Sequence, residues 1–102
     1  TMSVALDGAL KDCTKAIELA DSPAAALDSR ALVYFRQGRM DEALADLDAA
    51  LEAAPEQSSS LYLRGIIRKQ RGETARAAED LAAARLVSPQ IDKRFGKWGI
   101  VP

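Results

Sequence analysis

Residues 24–57 read AAALDSRALVYFRQGRMDEALADLDAALEAAPEQ, and residues 58–91 read SSSLYLRGIIRKQRGETARAAEDLAAARLVSPQI. Laid over one another without a gap, the two 34-residue stretches agree at nine positions. Leu27 falls on Leu61, Arg30 on Arg64, Gly38 on Gly72, Ala43 on Ala77, Asp46 on Asp80 and Leu47 on Leu81. Ala49 and Ala50 fall on Ala83 and Ala84, and Pro55 on Pro89. Apart from the arginine and the aspartate, the matches are small residues, a glycine, a proline and leucines at fixed offsets, which are the kinds that backbone geometry constrains. A fixed period of this length marks a repeat architecture.

Each unit contains two helical stretches. Ala24–Gln37 and Met40–Ala53 carry helix-forming residues at helical spacing. Gly38 stops the first, because glycine accepts the left-handed conformation that closes a helix. Pro55 stops the second. Gln57–Arg71 and Thr74–Val87 repeat the scheme, with Gly72 and Pro89 as stops. Ser22-Pro23 and Ser88-Pro89 each place an N-cap candidate before a proline suited to a first helical position. Loops of two to four residues make consecutive helices antiparallel.

The pattern extends beyond both units. Residues 4–23 align with the second half of a unit, through Ala9, Asp12, Ala16 and Glu18. After Pro89 a closing helix is expected over residues 89–99, with Phe95 in the slot of Leu27 and Leu61, and Gly99 in the slot of Ala31 and Gly65. The expected organisation is therefore one all-α domain of about six helices: half a repeat (1–23), two whole repeats (24–57 and 58–91) and a closing helix. An aspartate at Asp12 without its own preceding arginine suggests the C-terminal part of a larger protein.

At these residues the chain resembles the tetratricopeptide repeat family. The first unit carries the family's signature with Leu27, Ala31, Tyr34, Ala43, Leu47, Ala50 and Pro55. The second carries it with Leu61, Gly65, Ala77, Leu81, Ala84 and Pro89, and departs from it at Arg68, where an aromatic residue is usual. The resemblance implies a right-handed superhelix of antiparallel helix pairs, with a concave groove that binds other polypeptides. One helix pair cannot bury its apolar face alone, so neighbours stack, and small residues at the contacts let backbones approach.

In the family the groove is lined by the first helix of each pair. Carried over, the partner-binding residues are Asp28, Leu32, Phe35 and Arg36 in the first unit, and Tyr62, Ile66 and Lys69 in the second. Leu32, Phe35, Tyr62 and Ile66 are apolar residues that the repeat's own core pattern does not require, and a contiguous apolar patch marks an interaction site. Asp28 and Leu32 stand where the family's two-carboxylate clamp for chaperone C-termini wants Lys and Asn, which argues against that ligand. The run from Asp12 to Ile17 and the closing Phe95–Pro102 look similar to bacterial repeat proteins, many of them envelope-associated. The compartment stays open.

Two charged residues stand where the family prefers apolar ones, and they do so in both units: Arg30 and Arg64 on the first helices, Asp46 and Asp80 on the second. Their joint appearance suggests compensating, partly buried ion pairs. The partners lie either within a unit (Arg30–Asp46, Arg64–Asp80) or across a boundary (Asp12–Arg30, Asp46–Arg64).

Composition narrows the function further. With no histidine and one cysteine, the histidine-dependent nucleophile patterns are absent and a zinc site lacks its usual ligands. Cys13 falls in a core slot. No glycine-rich phosphate loop is present, and Ser58–Ser60 open a helix. The reading is a non-catalytic scaffold without a cofactor, whose partner is a protein or peptide. Its rival is a structural module whose groove is filled by a second copy or by another domain. Net charge is −1, yet residues 1–57 hold 5 Lys/Arg against 11 Asp/Glu, and residues 58–102 hold 9 against 4. That asymmetry can steer a partner or favour self-association. Nucleic-acid binding through Arg64, Arg68, Lys69, Arg71 and Arg76 lacks interleaved stacking aromatics beyond Tyr62. No apolar run reaches the roughly 18 residues that a membrane helix needs.

Overall fold

The computed structural model describes residues 23–102. Five helices occur among them: α1 (Ala24–Arg36), α2 (Met40–Ala53), α3 (Ser58–Gln70), α4 (Thr74–Val87) and α5 (Ile91–Gly96). The aligned half-repeat, Asp12, Cys13 and the boundary pairing Asp12–Arg30 fall outside the described residues. The chain divides into two compact units, one ending at Pro55 and one running Glu56–Pro102.

In the first unit α1 packs on α2. Leu27 and Ala31 of α1 are buried, as are Ala43, Leu47, Ala50 and Leu51 of α2. The turn between them is set by Gly38, whose φ is +78°. There the Gly38 N–H donates to the Phe35 carbonyl at 3.1 Å and the Arg39 N–H to the Tyr34 carbonyl at 2.8 Å. This is the paired-bond ending that satisfies the last carbonyls of a helix. Asp41 and Glu42 lie in the first turn of α2, where the helix dipole favours acids.

The second unit repeats the arrangement in α3 and α4, with Gly72 at φ +84°. Its tightest glycine is Gly65. A Cβ added there would lie 2.9 Å from Leu81 Cγ and 3.2 Å from the Ala77 carbonyl oxygen. The small residue therefore allows α3 to approach α4, as Ala31, fully buried, occupies the same slot in α1.

The closing helix differs from expectation. It runs only over Ile91–Gly96, and Gly99 is its left-handed cap (φ +73°), not a packing residue of the Ala31 and Gly65 kind. The Ile100 N–H reaches back to the Phe95 carbonyl at 3.1 Å, and both side chains are buried, the apolar pairing that accompanies this cap. The left-handed glycine comes before the helix has reached the length of α1 or α3. Ser88 caps the end of α4 and Pro89 lies in the turn before α5, so neither opens α5 as cap and first residue.

Candidate protein-binding surfaces

The charged pairs lie within the units. Arg30 meets Asp46 in a fork, with Nε to Oδ2 and Nη2 to Oδ1 both 2.7 Å. Arg64 meets Asp80 in the same way, both at 2.9 Å. Asp46 and Asp80 are buried while the arginines are partly covered. Two parallel N–H···O bonds fix direction as well as strength. The pairs tie the first helix of each unit to its second and leave these residues little part in binding a partner.

Around this shared fork the units diverge. In the first, Tyr34 lies beneath two guanidinium groups, Arg39 at 4.6 Å and Arg30 at 5.7 Å from the ring centre. In the second, Arg68 takes the slot of Tyr34 and donates Nη1 to Asp80 Oδ2 at 2.8 Å. The departure from the family's aromatic position thus adds a second arginine to one aspartate. The next turn adjusts to it. Arg39 pairs with Glu42 in the first unit, whereas Glu73 pairs with Arg76 at 3.6 Å in the second. The signs are reversed at equivalent positions. An arginine at 73 would have faced Arg68 with no ring to rest on.

The residues expected to bind a partner separate into two groups. On α1, Asp28, Leu32, Phe35 and Arg36 follow helical spacing and share one face. Asp28, Leu32 and Phe35 are half-buried and Arg36 is exposed. On α3, Lys69 is exposed, but Tyr62 and Ile66 are buried to 0% and 1% exposure. Tyr62 and Ile66 therefore belong to the core of their unit, contrary to the reading that the core does not require them.

The cover over Tyr62 is the closing helix. The Phe95 ring lies 4.6 Å from the Tyr62 ring, and Trp98 meets Phe95 edge-on at 5.2 Å. The Tyr62 hydroxyl donates to Asp92 Oδ1 at 2.7 Å. Arg85, on α4, donates Nε to Asp92 Oδ2 at 2.8 Å and Nη2 to Oδ1 at 2.9 Å. Asp92 thus joins three helices. The Arg85 hydrogen bonds, followed by that from Tyr62, hold its carboxyl down at about 2. Burial, then the Asp92 contact, pushes the Tyr62 phenol up to about 12. No sequence signal points to this clasp, because α5 leaves the repeat's register after one short helix.

Two further surface features went unread in the sequence. Leu86, Val87, Trp98 and Val101 are exposed large apolar residues. Gln90, Lys93, Arg94 and Lys97 line an open concavity on α5 and its flanks. The signal for the second was present in the spacing of Lys93, Arg94 and Lys97. Among the described residues no helix is long and apolar enough to cross a membrane.

No curated protein matches the chain. A family model does, described as tetratricopeptide repeat, and it matches twice, over residues 6–58 and 29–91.

Proposed function

Because the chain belongs to the tetratricopeptide repeat family, whose domains generally mediate protein–protein interaction, we propose that it is a non-catalytic scaffold that binds a polypeptide segment on its first-helix surface. The face of α1 carrying Asp28, Leu32, Phe35 and Arg36 supports this reading. Leu32 and Phe35 keep part of their apolar surface in solvent, on a helix whose own core is made by Ala24, Leu27 and Ala31. Apolar side chains flanked by charges suit a segment whose side chains seat between them, with the charges setting register. Lys69 on α3 is exposed on its own unit, where Tyr62 and Ile66 belong to the core.

The test is selection of peptides from a random library on the wild-type protein, followed by affinity measurement on Phe35→Asp and Leu32→Asp. Binding should weaken by roughly tenfold or more in each, as expected for central apolar anchors, with the melting temperature little changed. Selected peptides that bind both variants as they bind wild type would overturn the assignment. The charge asymmetry between the two halves favours a second reading, in which another copy fills this face. Light scattering after size exclusion separates the two. A wild-type dimer that Phe35→Asp turns into a folded monomer supports self-association, and a monomer in both cases leaves the face open to a peptide.

A further inference from the structure

The described cations are unevenly employed. Arg30, Arg64 and Arg68 serve buried aspartates, Arg85 holds Asp92, and Arg39 and Arg76 have glutamate partners. Lys93, Arg94 and Lys97 have no such carboxylate, although they line one concavity with Gln90. The acid on their own helix, Asp92, is already engaged by Tyr62 and Arg85. Three like charges on and just beyond one short helix repel one another unless a counter-charge joins them.

We infer that this concavity is a second binding site, for an acidic polypeptide segment bearing clustered Asp or Glu side chains. The inference rests on the protein-binding role of the family but not on the α1 face. The carboxylates would take Lys93, Arg94 and Lys97, and the Gln90 amide could donate to a further oxygen. Trp98 follows Lys97 directly and is half exposed, so it offers an apolar neighbour to the same segment.

Size and chemistry select the occupant. Gln90, Lys93, Arg94 and Lys97 confine the site to one short helix and its flanks, a span that a few carboxylate side chains of a polypeptide fill, and the family's domains generally mediate protein–protein interaction. A second copy also carries exposed carboxylates, at Glu52, Glu56 and Glu79, and the oligomeric state measured below separates it from a partner segment.

The chain contains one tryptophan, so indole emission, excited selectively over the two tyrosines, reports on this corner of the molecule. Hexaglutamate titrated into wild-type protein at about 50 mM salt, where screening is weak, should shift Trp98 emission saturably. Lys93→Gln/Lys97→Gln should weaken that response by roughly tenfold, and raising the salt should weaken it severalfold. The side chains are exposed, so circular dichroism should show the variant folded; Arg94→Gln provides an independent variant. Phe35→Asp should leave the response unchanged, which separates this site from the α1 face. No emission change, or equal binding by both glutamine variants, would overturn the proposal. So would equal or tighter variant-sensitive binding of inorganic phosphate, an oligonucleotide or phosphatidylserine vesicles. Self-association that Lys93→Gln/Lys97→Gln abolishes would also overturn it, by making a second copy the occupant.

Discussion

The first and second helix pairs share a skeleton: the same glycine turn, the same small contact residue slot and the same arginine–aspartate fork. They differ in what surrounds the fork and in what covers the first helix. In the first pair a tyrosine accepts two guanidinium groups on its ring, and α1 keeps Leu32 and Phe35 partly open. In the second a further arginine joins the aspartate, and α3 has seven buried residues, Tyr62 and Ile66 among them. The repeat therefore specifies the turns and the helix-to-helix contact, while the short closing helix adds a cover over Tyr62 that the first pair has no counterpart for among the described residues.

The sharpest test of this contrast is removal of each aspartate. Asp80→Ala strands two arginines and Asp46→Ala strands one. Loss of one partner of a buried pair costs about 3–5 kcal/mol. Denaturant unfolding should show both variants strongly destabilised and Asp80→Ala the more so. An equal or larger loss at Asp46 would mean that Arg68 adds nothing to the second fork.

Next is the small contact residue. Gly65→Ala should destabilise by about 1–3 kcal/mol through overpacking against Leu81 and the Ala77 carbonyl, even though alanine is the better helix former. Ala31→Gly should lose about 1 kcal/mol from helix propensity, plus the cost of a small void. A stabilised Gly65→Ala, read from its melting curve, would show that α4 yields where the geometry says it is tight.

A smaller effect tests the exchanged charges. Tyr34→Arg removes a cation–π partner worth about 0.5–1 kcal/mol at an exposed site and sets an arginine beside Arg39. Adding Arg39→Glu and Glu42→Arg should recover most of the loss, because the first pair then carries the second pair's residues. A triple variant no more stable than the single one would make the reversal at 39/42 and 73/76 incidental.

The smallest effect is one of pH and belongs to the second pair alone. The Asp92 carboxyl, lowered to about 2 in the fold, contributes stability above its unfolded value near 4 that disappears as pH falls through about 2. Tyr62, raised to about 12, contributes below its unfolded value near 10 and loses that contribution as pH climbs through about 12. Asp92→Asn should flatten the acid limb of a melting-temperature profile between pH 4 and 2. An unchanged acid limb would remove Asp92 from the clasp's titration.

Much of the framework was legible because repetition supplies its own control. Gly38 and Gly72, or Arg30 and Arg64, each appear twice, so chance is a poor explanation, and the helix limits read from them lie within a residue of those observed. The partners of the arginines were not legible. Within-unit and cross-boundary partners share the same periodicity, and only distances choose between them. The closing helix misled for a different reason. Extending the register placed Gly99 in a packing slot, but a short helix needs its left-handed cap sooner, and the backbone requirement prevails over the alignment. The reading of Tyr62 and Ile66 as groove residues came instead from carrying over the family's groove positions, and the partner of Tyr62 at Asp92 lies outside the repeat.

The forked pair has a consequence for how this chain can drift. Changing Arg30 or Asp46 alone strands a charge with little water around it, so such variants should be purged before their compensating change arises, and the two residues are inherited as a unit. The outer pair at the start of α2 is solvated, with each side chain nearly half exposed. Either of its members can change first at little cost, and its counterpart at 73 and 76 already carries the opposite polarity. Across a lineage, then, the inner pairs should stand still while the outer ones flip sign freely, and the boundary between the two behaviours is drawn by water.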